Sequence, residues 1–346
     1  MADPGHDNVV DPLVGVTSAL AGEDPDRRPT GALRPARGGC HHLAEAAADD
    51  GAAAFGEEAA DVFRPLFVFA AAADHGYLDC HGCDARRGMS EFERAFALMD
   101  RLDERTAERL EPTPYGPVVV HARLNRVHDL NFLRAERPGD ATAEHLAAEA
   151  ERVQGAARVG HRRVNIRSER QRERLEPQFV RLGWEPQHFV VMALRRGPDR
   201  PPEHGVREVD EPVLRPLWAE AIRTEPHGKD ERVVEQILEH RRDVARAMPT
   251  KLFAAEVDGK LVAHAELYSD DGVGQVENVV TLPAYRGRGL ARALVLRAVA
   301  ESRAAGNDLT FLVADADDWP QQLYERLGFE TIGRYARFLL KRAGPS

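Results

Sequence analysis

The stretch Glu277-Asn278-Val279-Val280-Thr281-Leu282-Pro283-Ala284-Tyr285-Arg286-Gly287-Arg288-Gly289-Leu290-Ala291-Arg292 decides how this chain is read. Its start closes an apolar run that predicts a strand over Gly274–Thr281, and its end opens a helix predicted over Gly289–Ala305. The loop between them carries two glycines among arginines. Small residues let backbone amides converge there, and a helix N-terminus adds positive potential, so the loop suits a diphosphate. Arg286, Arg288 and Arg292 can add charge. The loop lacks the Gly-Lys-Ser/Thr of a nucleotide P-loop and the Gly-x-Gly-x-x-Gly of a dinucleotide fold. Taken alone, it also reads as a glycine-rich helix cap beside solvated arginines.

Working outward, residues 205–346 read as a mixed α/β domain. A strand (Val206–Val209) and two helices (Val213–Arg223, Glu231–Ala247) come first. Strands Lys251–Val257 and Leu261–Tyr268 follow, joined by a two-residue turn at Asp258-Gly259. After the glycine loop come strand Leu309–Val313, helix Trp319–Leu327 and strand Tyr335–Lys341.

Residues 89–200 show a similar order. Ser90 is a helix cap ahead of Phe92, Phe96, Met99 and Leu102, and that helix ends before Pro112. Strands are predicted at Val118–Ala122, Asp129–Arg134, Arg163–Ile166 and Phe189–Leu194, with helices at Ala141–Ala157 and Arg170–Leu182. Arg181-Leu182-Gly183-Trp184-Glu185 matches Arg326-Leu327-Gly328-Phe329-Glu330 at an offset of 145 positions. The fold class is therefore α/β with a mixed sheet, as two tandem copies joined by the proline-rich linker Gly197–Pro202.

The net charge of -10 is unevenly placed. Residues 1–88 hold fifteen Asp and Glu against seven Arg, so the remainder is close to neutral. That balance argues against nucleic-acid binding, which needs basic surface. The longest apolar run of note, Leu66 to Ala73, is too short for a membrane helix. The acidic start lacks the basic region of a signal peptide, so the expectation is a cytoplasmic protein. Residues 1–88, rich in Ala, Gly and Asp, read as a mostly disordered leader with one weak helix around Glu57–Ala72. A misassigned leader, with Met89 as the true start, is a second reading. Cys40, Cys80 and Cys83 all lie in it; they read either as free thiols or as part of a zinc site with His41, His42 and His81.

The loop and its surroundings resemble the central motif of the GNAT acyltransferases, whose Arg/Gln-x-x-Gly-x-Gly/Ala signature is met by Arg286, Gly289 and Ala291. Leu323-Tyr324-Glu325-Arg326-Leu327-Gly328-Phe329 is similar to the family's second landmark. The resemblance implies transfer of an acetyl group from acetyl-CoA to an amine in a ternary complex, with no metal. It implies that Val279, Val280 and Thr281 pair with the pantetheine arm and that amides from Gly287 through Arg288, Gly289, Leu290 and Ala291 to Arg292 hold the diphosphate. Asp317 falls where relatives carry a cofactor-contacting Asn. Tyr324 matches the family's general acid, the proton donor to the departing thiolate.

An acceptor amine must lose its proton before attack, and Glu277 on the central strand is the candidate base, with His264 as the substitute. Asp315, Asp317 and Asp318 read either as turn caps or as an acidic rim that attracts the amine. With no cysteine after Met89, an acyl-cysteine intermediate is excluded there. The first copy departs from the pattern. Its loop is Arg137-Pro138-Gly139-Asp140-Ala141-Thr142, and Phe179 replaces Tyr324, so it is expected to bind no acyl-CoA and to pair with the second copy. The acceptor is a small-molecule or peptide amine. The alternatives are a non-catalytic acyl-CoA-binding or sensing module and a protein N-acetyltransferase.

Overall fold

The computed structural model describes residues 88–341. The leader, its predicted helix around Glu57–Ala72 and all three cysteines lie outside the described residues. In chain order the elements are α1 (Glu91–Thr106), β1 (Arg109–Thr113), β2 (Gly116–Val120), β3 (Phe132–Arg134), α2 (Ala143–Ala156), β4 (His161–Ile166), α3 (Glu169–Arg181) and β5 (Glu185–Leu194). They continue with β6 (Val206–Glu208), α4 (Glu211–Arg223), α5 (Glu231–Ala247), β7 (Thr250–Val257), β8 (Lys260–Asp270), β9 (Val273–Thr281), α6 (Leu290–Ala304), β10 (Leu309–Asp315), α7 (Pro320–Arg326) and β11 (Phe329–Lys341).

Local chemistry explains most boundaries. Ser90 caps α1 in a reciprocal capping box with Glu93. The Asp258-Gly259 turn between β7 and β8 has positive φ at both residues, as a tight hairpin turn requires. Several segments differ from expectation: β11 starts six residues before the predicted Tyr335 and β5 four residues before the predicted Phe189. The predicted strand Asp129–Arg134 is a strand only over Phe132–Arg134, because 128–130 wind into a short 3-10 turn. Arg109–Thr113, not foreseen as a strand, forms β1; Pro112 is accommodated because β1 is an edge strand.

Among the described residues, the strands join one mixed sheet of order β1-β2-β3-β4-β11-β5-β10-β9-β8-β7-β6, and only β3–β4 and β9–β10 pair in parallel. The order shows an exchange. Counting inward from one edge, β1 to β4 are followed by β11, the last strand of the chain. Counting from the other, β6 to β10 are followed by β5, the last strand of the first segment. Each segment lends its closing strand to the other.

Side chains follow the same exchange. Ala336 and Phe338 of β11 sit in the core under α2 and α3, with Phe338 stacked on Phe179 at 4.4 Å between ring centroids. Val190 and Met192 of β5 sit in the core of the second segment. A third apolar cluster joins α1 to β5, β10 and α5. Burial is non-directional, so the exchange makes the two cores interdependent.

Candidate active site

β9 and β10 pair only from Val273/Leu309 to Gln275/Phe311. Beyond that point the strands part, leaving the edge of β9 from Val276 onward open. A cavity lies over this split between α1 and α5. Its walls come from both segments.

Glu277 lines the cavity from β9. It lies deep in the protein yet keeps partial exposure, because the cavity reaches it. Burial pushes its carboxyl up to about 7 against the opposing hydrogen bond from Gln275 Nε2, 2.6 Å away; the Glu266 charge raises it further and Arg337 lowers it. A carboxyl near 7 is suited to taking a proton at neutral pH.

A bulge in β9 orients this region. Asn278 has φ +52°, and the register to β8 shifts between His264 and Glu266. The Asn278 side chain is held at both ends: Arg241 Nη2 donates to its Oδ1 at 3.2 Å, and its Nδ2 donates to the Tyr268 hydroxyl at 3.1 Å. Glu266 accepts from both Arg241 and Tyr268, which closes a buried ring of four side chains.

His264 is also buried, but it is absent from the cavity lining and packs edge-on near Trp218 at 6.4 Å between ring centroids. Burial holds its imidazole well below the usual range, with Arg241 adding to the effect. Tyr324 sits on α7, buried against Phe329, outside the cavity lining. Its phenol is raised by burial and then by the Glu277 carboxylate, which places the two groups within electrostatic reach. Its hydroxyl makes no hydrogen bond among the described residues.

The glycine loop has the expected geometry. Gly287 and Gly289 lie at φ +73° and +78°, a region side chains disfavour, and Gly289 caps α6. The first bond inside α6 runs from the Ala293 amide to the Gly289 carbonyl at 3.1 Å, so the Leu290, Ala291 and Arg292 amides precede the ladder. Thr281 Oγ1, at the end of β9, is buried without a partner among the described residues. These orphan groups fit a bound pantetheine diphosphate. Val279 is buried, and Val280 and Thr281 carry β9 to the loop. Arg286 Nε donates to the Thr281 carbonyl at 3.2 Å, and Arg288 lies over the Tyr285 ring. The Arg292 guanidinium is turned away: it is buried against Asp199 of the linker at 2.5 Å. Asp317 is exposed in the β10–α7 turn, where its amide donates to Asp315 Oδ1 at 2.8 Å and its carboxylate lies 3.5 Å from His188. Asp318 accepts from the Trp319 amide at 2.7 Å. Asp315 and Asp318 are thus turn caps, and Asp315 additionally lines the cavity.

The corresponding loop of the first segment is filled by its own side chains. Gln178 Oε1 accepts from the Ala143 amide at 3.1 Å, and Arg174 and Gln171 of α3 donate to the Gly139 carbonyl. The Glu144 carboxylate is lowered by its own backbone amide and by Thr142, so an internal anion already sits at this helix start.

Sequence reasoning missed the cavity's far wall. Asp129 is fully buried between Arg163 of β4 and Arg337 of β11. The three lie 34 and 174 positions apart in sequence order, and only the exchanged strand brings them together.

Residues 215–329 match the model of the Acetyltransferase (GNAT) family. The chain is 34% identical over 95 residues to a glucosamine 6-phosphate N-acetyltransferase of Trypanosoma brucei brucei, covering 25% of this chain and 63% of that protein. It is 40% identical over 89 residues to a mycothiol acetyltransferase of Thermobispora bispora, covering 23% and 30%. The chain thus spans less than two thirds of the length of these relatives. A conserved Staphylococcus epidermidis protein of unknown function superposes with TM-score 0.54 at 12% identity, covering 68% of this chain and 94% of that one; this likeness concerns the fold alone.

Proposed function

Because residues 215–329 match the Acetyltransferase (GNAT) family model, we propose that the chain transfers an acetyl group from acetyl-CoA to a primary amine held in the cavity over the β9–β10 split. The observation that carries this reading is Glu277: a carboxyl near 7, open to the cavity, on the strand that leads into the diphosphate loop. The family uses acetyl-CoA as acyl donor. Here the amides of Gly287 to Arg292 would hold its diphosphate, and the open edge of β9 at Val279, Val280 and Thr281 its pantetheine arm. Arg286 and Arg288 would add charge; Arg292 would contribute only its amide. Asp317, at the β10–α7 turn, would lie beside the cofactor.

The donor supplies an activated thioester. Glu277 accepts the proton as the amine nitrogen forms its bond to the carbonyl carbon. A strand amide near Val279 stabilises the oxyanion. As the carbon–sulfur bond breaks, Tyr324 gives its proton to the thiolate. A phenol with a raised pKa stays protonated until that step.

The two copies, residues 89–200 and 205–346, divide the work in this reading. The second binds acyl-CoA. The first, whose loop is filled by Gln178, Arg174 and Glu144, supplies one wall of the acceptor cavity and a strand of the shared sheet. The names of the relatives, a glucosamine 6-phosphate N-acetyltransferase and a mycothiol acetyltransferase, support a small-molecule acceptor over a protein one. Among the described residues no helix is long and apolar enough to cross a membrane. The test is release of CoA thiol by the full chain across a panel of amines, with Glu277→Gln and Tyr324→Phe alongside. Turnover that falls in both variants at unchanged acetyl-CoA affinity supports the roles. Acyl-CoA binding with no turnover on any amine would favour a sensing module.

A further inference from the structure

Resting on the acyltransfer reading above, we propose that the acceptor is a primary amine on a hydrocarbon body, with the amine at Glu277 and the body against the apolar face of α1.

α1 brings Phe96, Met99 and Leu102 to the cavity at three-residue spacing, which places them on one helix face. Met99 and Leu102 are only half-buried, as is Val313 of β10; all three pack against the same apolar cluster and line the cavity. Ile237 and Val244 of α5 continue this apolar lining on the neighbouring helix. Where β9 and β10 part, the ionisable lining is Glu277 and Asp315, both acids. One positive charge is therefore suited to the split, and carbon to the helix side.

The polar lining is occupied within the protein. Arg167 pairs with Asp100, Arg241 with Glu266, and Arg163 and Arg337 with Asp129. The Tyr268 hydroxyl donates to Glu266 and accepts from Asn278. The Tyr335 hydroxyl accepts from Arg337, and Asn165 Oδ1 accepts from Arg163 at 3.1 Å. Burial is the first cause that raises Glu277 and Asp103, the lining carboxyl of α1, to about 7, which fits a lining poor in water. A hydroxyl-rich acceptor would exchange its water for polar groups that already have partners, whereas a hydrocarbon body gains by leaving water. α1 belongs to the first segment, which would thereby select the acceptor while the second carries the glycine loop.

The experiment is calorimetric binding of three amines to the full chain with saturating CoA. They are propylamine, pentylamine and 4-amino-1-butanol, in which a hydroxyl replaces the terminal methyl of pentylamine. Pentylamine is expected to bind about tenfold tighter than propylamine, from two added methylenes, and about tenfold tighter than 4-amino-1-butanol. The double substitution Met99→Gln with Leu102→Gln should cut both preferences to about threefold or less and leave CoA affinity unchanged. Pentylamine held within about threefold of either partner, or no amine bound while CoA binds, overturns the inference; this comparison on the unaltered chain needs no variant to fold. Preferences that persist undiminished in the folded double variant also overturn it. Absence of CoA binding would instead remove the acyltransfer reading itself.

Discussion

Gln275 Nε2 donates a hydrogen bond to Glu277 Oε2 at 2.6 Å along one strand, and it is the main group opposing the burial that raises that carboxyl. The bond is a lever on the proposed base. A base works deprotonated, so kcat/KM should be low under acid conditions and rise through an apparent pKa of about 7. Gln275→Leu removes a bond that favours the charged form, so the limb should move to higher pH. Glu277→Gln should abolish the limb and lower kcat about 10²–10⁴-fold. A pH–rate profile checks all three; an unmoved limb in Gln275→Leu would detach it from Glu277.

The left-handed backbone of Asn278 makes a separable prediction. Asn278→Ala loses the bonds to Arg241 and Tyr268, leaves a buried donor unmet on Arg241 and a buried acceptor unmet on Tyr268, and strains an alanine at φ +52°. The expected cost is about 2–4 kcal/mol in urea denaturation. Asn278→Gly relieves the strain but not the lost bonds, so it should be less destabilising by about 1 kcal/mol. Equal losses would mean that backbone conformation contributes nothing here.

Acid should destabilise the fold before it reaches the carboxylates. Burial is the first cause that lowers six histidines: His121 and His128 to about 4, His240 to about 3, and His161, His227 and His264 downward. The unfolded chain binds these protons near 6.5 and the folded chain does not. Stability is therefore full above that value and falls as pH drops from about 6.5 toward 4. Asp103 and Glu277, both raised to about 7, act in the opposite sense over the same range but are fewer. Denaturant midpoints between pH 7 and 4.5 should fall, and His240→Asn should flatten the slope. A midpoint independent of pH would contradict this.

Gly289→Ala isolates loop geometry from bulk. The nearest atom to an added Cβ is His204 Cδ2 at 3.8 Å, ordinary contact, so only the φ of +78° opposes it. The strain of about 1–2 kcal/mol should weaken acetyl-CoA binding about tenfold as the loop shifts, with the fold retained. Unchanged affinity would show that the loop tolerates the side chain in place.

Much of this was legible in the sequence because it is local. The Ser90 cap, the Asp258-Gly259 hairpin and the glycine loop before α6 each rest on a few adjacent residues whose chemistry sets the backbone. The departure of the first loop from the pattern was also legible, at Asp140 and Phe179, although the groups that fill it, Gln178 and Arg174, come from the next helix. The strand exchange was not legible, since β5 and β11 carry the same signals whichever sheet they join. Without it, Asp129, Arg163 and Arg337 cannot be grouped, so that wall of the cavity stayed invisible. Arg292 read as a diphosphate ligand by its place in the motif, and only packing shows its guanidinium turned to Asp199.

The most direct test of the central claim is calorimetric titration of the full chain with acetyl-CoA. One site per chain is expected, lost in Gly289→Glu, where bulk and negative charge meet the diphosphate loop. Two sites per chain, or binding that survives Gly289→Glu, would contradict it.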